Sequence, residues 1–306
     1  MPTSKDTHEP RDSAETGPIP PVESDVADAL QRRDDFGLEM RTAALLRSNG
    51  ATVIHAGQYS DPAQGKSRQF DIRAELYHHI DPKRVRLAIE CKSLSVDCPL
   101  VVSGSKRDGI EAYHHIVRSE SGPGKRDATV GSSEEVSYIY ERYKFVGKSI
   151  VRLKPGGKNE PKLVVGRDQE SDIFGAWAQA LGSAADLCRT STSIERIVPS
   201  MITRTLPVQT VIVPAVVIPD GALWQAEYND AGDFKVAPHQ VEQTTFFIGQ
   251  EMTVIPSNLW MVLSHIHFFT FTGLRQFLAN LNVPTNYWQD WFPNAFVPYQ
   301  PRVDRL

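Results

Sequence analysis

The residues best equipped for chemistry lie in the stretch RQFDIRAELYHHIDPKRVRLAIECKS, residues 68–93: Asp71, then Glu90 after eighteen intervening residues, then Lys92. Two carboxylates held close together repel each other and need a cation. Mg²⁺ is typically bound by one or two carboxylates, with water and phosphate oxygens completing its shell. A lysine beside such a pair orients or deprotonates an attacking water. The chemistry this trio allows is metal-assisted hydrolysis of a phosphodiester.

The elements carrying the trio follow from periodicity. Apolar and polar residues alternate on both sides of the turn at residues 79–82, which predicts a β-hairpin with arms 67–77 and 84–94. Pairing about Ile80 and Asp81 sets Asp71 opposite Glu90, Ile72 opposite Ile89 and Phe70 opposite Cys91. One face then carries Phe70, Ile72, Ile89 and Cys91. The other carries Gln69, Asp71, Arg73, Ala88, Glu90 and Lys92. Opposed side chains sit about 5 Å apart, where like charges destabilise a strand pair. A one-residue slip would lose both the apolar face and the carboxylate pair. A solvated polar face is the alternative for the same residues.

Residues 1–24 are rich in Pro, Ser, Thr and charge and read as a disordered tail; residues 25–306 read as one domain. A helix is predicted from Asp25 to Ser48, a strand at 51–57, a helix at 170–189 and a doubly buried strand at 208–219. Residues 103–135 read as polar loop. Residues 144–154 and 161–167 look like a second, protruding hairpin, and 246–306 is an aromatic extension. The order helix, three strands, insertion, helix, strand predicts an α/β sandwich with a mixed central sheet flanked by helices. On the first helix Phe36, Ala43 and Leu46 lie within about 60° of Glu39, so Glu39 is expected in the apolar arc, where a carboxylate needs a partner.

The string Phe70-Asp71, then Glu90-Cys91-Lys92, resembles the PD-(D/E)xK nuclease superfamily, whose restriction-endonuclease-like core has the order αβββαβ. The resemblance covers roughly residues 35–100 and 168–220, with 103–166 as an insertion; Phe70 stands where many members have proline. It implies a Mg²⁺-dependent DNA endonuclease, with Mn²⁺ as an alternative ion. Asp71, Glu90, the Cys91 carbonyl and Glu39 would serve the metal, and Lys92 the water. Gln179 would approach the site from the second helix, unless it is a surface residue. The implied setting is restriction or antiviral defence, acting as a homodimer or with a partner defence protein. Rivals are a repair nuclease or junction resolvase, and a non-catalytic nucleic-acid-binding scaffold.

Residues 142–167 hold eight Lys and Arg against one acid, in a chain of net charge −4. On a protruding hairpin Lys144, Lys148, Arg152, Lys154, Lys158 and Lys162 would track a phosphate backbone; edge-protecting lysines are the alternative. The pairs His78-His79 and His114-His115, and His265 with His267, lack the spacing of a structural zinc site. Tyr287, Trp288, Trp291 and Phe292 read as core or lid. Three cysteines without a CxxC fit a reducing cytoplasm. No apolar run reaches membrane-spanning length, so no membrane partner is expected.

Overall fold

The computed structural model describes residues 20–33, 35–61, 65–119, 128–132, 139–158, 161–166, 170–191, 208–254, 259–283, 287–292 and 297–298. The expected tail lies mostly outside them. The chain divides into two units, residues 1–34 and 35–306. In the first, helix α1 (Glu23–Arg33) begins two residues earlier than expected, with the Asp25 carboxylate accepting the Val22 N–H at 2.9 Å. The stretch expected as one helix from 25 to 48 is helical on both sides of residue 34, which lies outside the described residues. The second unit opens with α2 (Asp35–Ser48), where Asp35 stands in the first turn. An acid there is favoured by the helix dipole.

Strands β1 (Thr52–Ser60), β2 (Ser67–Tyr77) and β3 (Lys83–Cys91) follow as an antiparallel meander. The pairs Ile72↔Ile89 to Tyr77↔Arg84 have the expected register. Alternation on β2 and β3 places Ile72, Ala74, Leu76, Val85, Leu87 and Ile89 in one buried cluster with Leu38, Ala43 and Leu46 of α2. Helix α3 (Glu170–Ser191) packs on β3 and on strand β9 (Val208–Ile218), through Ala184, Leu187 and Cys188 against Ala88 and Ile212.

Beyond β9 the architecture departs from the small α/β core that the resemblance implied. Strands β4 (Leu100–Lys106), β5 (His115–Ser119), β6 (Ala128–Ser132), β7 (Phe145–Pro155), β8 (Leu163–Val165), β10 (Leu223–Tyr228), β11 (Phe234–Gln240), β12 (Gln243–Val254), β13 (Leu259–Thr270) and β14 (Val297–Pro298) join β1–β3 and β9. They form a mixed sheet of fourteen strands whose main path is β1-β2-β3-β9-β13-β12-β7-β4-β10-β11. Only five α-helices are found among the described residues; the last two are α4 (Phe271–Asn282) and α5 (Tyr287–Trp291).

The cause is the demand of β9 for neighbours. A β-branched strand buried on both faces needs a partner at each edge. β3 fills one edge over its whole length, while β5 and then β13 share the other. Pro214, which has no N–H to give, falls between the β5 pairing at 208–210 and the β13 pairing at 215–218. The supposed insertion 103–166 supplies sheet strands instead of hanging from the core, because β7 lies between β12 and β4. The C-terminal aromatics Trp288, Trp291 and Phe292 are core residues. No helix among the described residues is long and apolar enough to cross a membrane.

Candidate active site at the parting of two strands

The ladder between β2 and β3 ends at Ile72↔Ile89, while β3 continues along β9 to Cys91↔Val217 and then through Lys92 N–H to the Val217 carbonyl at 2.9 Å. At the end of the β2–β3 ladder, Asp71 Oδ2 accepts the Cys91 N–H at 2.8 Å, so a side chain occupies a main-chain donor. On the other side of β2, between His55↔Ile72 and Gly57↔Phe70, the residue facing Asp71 is Ala56, with φ +53°. A non-glycine residue in the left-handed region costs about 1–2 kcal/mol. That strain is stored where β2 turns from β3, a placement common at functional sites.

Two carboxylates meet in the opening. Glu90 is 3% exposed and lies close enough to Asp71 for that charge to act on it. Burial, then the Asp71 charge, pushes its pKa up to about 9. Asp71 is also raised by burial, against the lowering effect of the Cys91 N–H. Burial thus disfavours charge on both carboxyls, and the Asp71 charge adds to that at Glu90. The second oxygen of Glu90, Oε1, is buried and has no hydrogen-bond partner among the described residues.

Glu39 approaches from α2. Burial raises its pKa, His55 Nε2 at 2.9 Å lowers it, and the Asp71 charge raises it again. Its helical neighbours behave unequally: Ala43 and Leu46 are buried as expected, but Phe36 is 57% exposed and rests against the His55 ring. Lys92 bonds Asp35 Oδ2 at 2.8 Å, and Asp35 Oδ1 accepts the Ser93 N–H at 2.6 Å. Asp35 and His55 escaped the sequence reading. The available signals were Asp35 one helical turn before Glu39, and a polar His55 on the same strand face as Val53.

Gln179 engages through its main chain: its carbonyl accepts the Tyr59 hydroxyl at 3.3 Å. The basic residues do not form one exposed stripe. Lys148 pairs with the buried Glu111 at 2.9 Å, Lys144 with Glu141 at 3.9 Å, Arg152 and Lys154 are half-buried, and Lys158 and Lys162 are exposed. The expectation of a protruding basic hairpin fails because β7 is a sheet strand and only its β8 end projects as a hairpin. His114, His265 and His267 gather around Tyr140, whose hydroxyl bonds His267 Nε2 at 2.7 Å and whose ring stacks on His265 at 3.8 Å, while the His115 ring lies 5.6 Å from that of Tyr113.

No group of three or more His, Cys, Asp and Glu side chains among the described residues is arranged to enclose a metal ion. The donors present that could hold a divalent cation are two neighbouring carboxylates, one with an orphaned buried oxygen, which would leave most of its positions to water. No family model, no curated protein and no solved structure matches this chain.

Proposed function

We propose that the chain is a divalent-cation-dependent nuclease that hydrolyses DNA phosphodiesters at the parting of β2 and β3. The observation carrying this reading is Glu90: a buried carboxylate beside the Asp71 charge, with Oε1 left without a hydrogen-bond partner among the described residues. An unpaired buried oxygen costs about 1–3 kcal/mol or more when charged, and a cation removes that cost. The reading rests on the site and on the Asp71–Glu90–Lys92 spacing that resembles PD-(D/E)xK nucleases, not on the fold, whose extended sheet lends it no support.

Asp71 and Glu90 would hold Mg²⁺ or Mn²⁺, with the Cys91 carbonyl and Glu39 beside them. When bound, the ion would supply positive charge against the developing phosphorane and acidify a water. Asp71 is oriented by the Cys91 N–H, and Glu39 by His55. Lys92 orients the attacking water, and Asp35 fixes where its ammonium sits. Restriction or antiviral defence in the cytoplasm, alone or with a partner, is the setting suggested by the resemblance; the unpaired Cys91, Cys98 and Cys188 agree with a reducing compartment. A repair nuclease or junction resolvase would use the same residues on a different DNA structure.

The test is a plasmid-nicking assay with Mg²⁺, Mn²⁺, Ca²⁺ or EDTA, alongside branched DNA substrates. Cleavage with Mg²⁺ or Mn²⁺, blocked by EDTA and lost in Lys92→Ala, is the expected result. Absence of cleavage on every substrate, with no metal-induced rise in melting temperature, would sink the reading and leave a scaffold.

A further inference from the structure

Lys92 poses an electrostatic problem. It lies two residues from Glu90 on the same strand, and its charge acts on Asp71. A flexible ammonium beside two clustered carboxylates is drawn onto them by Coulomb attraction, which a partly buried setting screens less than bulk water does. In that position it would be a built-in competitor for the cation that the carboxylates are to hold. It bonds Asp35, on a different element, at 2.8 Å.

Asp35 is itself well fixed. It stands in the first turn of α2, and its other oxygen accepts the Ser93 N–H at 2.6 Å, so one carboxylate ties the helix start to both residues after β3. Asp35 and Lys92 are each about one-third exposed, at 34% and 31%, whereas Glu90 is buried at 3%. An exposed ion pair of this kind contributes little to stability. Its geometry has a different consequence: the ammonium is held by Asp35, while Asp71 accepts the Cys91 N–H and Glu90 Oε1 has no hydrogen-bond partner among the described residues.

We infer that Asp35 is a positioning residue that acts through Lys92, holding the ammonium off Asp71 and Glu90 so that the pair stays open to a divalent cation. This rests on the nuclease reading for the identity of the site, but the inference concerns cation binding and is measured without DNA.

The experiment is a double-mutant cycle on Mn²⁺ affinity, read by electron paramagnetic resonance of free Mn²⁺ and by metal-induced melting shifts, with wild type, Asp35→Asn, Lys92→Met and the double variant. Asparagine keeps an oxygen for the Ser93 N–H and drops the charge that holds Lys92. Asp35→Asn is expected to weaken Mn²⁺ binding about tenfold or more when Lys92 is present, the size typical of residues that orient a metal site. With Met at position 92 the same substitution is expected to have little effect, and Asp35→Glu to retain near-normal affinity. An equal loss in both backgrounds would mean that Asp35 acts only as a distant negative charge, and no loss in either would mean that it does not act on the cation site; each overturns the inference. Wild-type protein that binds no Mn²⁺ removes the cation site itself and with it both readings, whereas binding without cleavage leaves this inference standing and sinks the nuclease.

Discussion

Asp71 and Cys91 are joined by a bond from main chain to side chain: the Cys91 N–H donates to Asp71 Oδ2 at 2.8 Å where β2 leaves β3. The bond steers the carboxylate toward the end of the hairpin and keeps it beside Glu90. It also changes what removal of Asp71 does to the metal-free protein. Repulsion between opposed acids alone predicts a gain in stability on removal. The structure adds a loss, because a buried N–H without an acceptor costs about 1–3 kcal/mol.

Asp71→Asn and Asp71→Ala should therefore differ. Asparagine offers an oxygen to the Cys91 N–H and carries no charge, so metal-free Asp71→Asn should melt at or above the wild-type temperature. Asp71→Ala should melt lower than Asp71→Asn, and both should lose the metal-induced shift. Thermal melts with and without Mg²⁺ decide it; an alanine variant as stable as the asparagine variant would remove the hydrogen bond from the account.

Glu90 sets a pH dependence for the metal-free protein. Its pKa rises from 4.5 to about 9, chiefly through burial, so the folded chain holds this proton more tightly than the unfolded chain. The stability it contributes is complete below 4.5 and is lost as pH rises through about 9. Glu90→Gln should flatten that decline, so the variant gains on wild type between about pH 5 and pH 9. Parallel curves of melting temperature against pH would overturn the assignment.

The buried histidines act in the opposite direction. Burial lowers His114 and His115 from 6.5 to about 4 and His267 to about 3. Folded, they stay neutral, while the unfolded chain takes up protons below 6.5. Their contribution to stability is thus present above 6.5 and declines as pH falls toward 4. His267→Gln, which retains a partner for Tyr140, should soften the acid-side slope of the melting curve; an unchanged slope counts against this cluster as the source.

Charge reversal should separate the basic residues. Lys158→Glu with Lys162→Glu, both exposed at the projecting end of β7 and β8, should weaken DNA binding and reduce its salt dependence by roughly one unit per lost phosphate contact. Arg152→Glu and Lys154→Glu, half-buried on a sheet strand, should instead lower the melting temperature. Salt titrations of binding beside melting curves test both halves, and a salt slope untouched by the Lys158 and Lys162 reversals removes that end of the hairpin from DNA contact.

The register of β2 on β3 was legible in the sequence, because a period of two with one buried face admits a single pairing across a short turn; the ladder runs from Tyr77↔Arg84 to Ile72↔Ile89 and stops before the expected Asp71–Glu90 and Phe70–Cys91 pairs. The extent of α3 and the double burial of β9 were legible for the same reason: each is written within one window of residues. Strand neighbours distant in the chain leave no such trace. The pairing of β13 with β9 and of β7 with β12 turned an expected compact α/β core into a fourteen-strand sheet, and it drew into that sheet a segment whose polar composition reads as loop. Asp35 and His55 belong with these. Their partners, Lys92 and Glu39, are 57 and 16 residues away, and only packing α2 across β1 and β3 brings them within hydrogen-bonding distance. Phe36 shows the limit from the other direction: helical spacing grouped it with Ala43 and Leu46, but the core beneath α2 reaches only the latter two. Periodicity names the face of an element, and the extent of the neighbouring surface decides which residues on that face are covered.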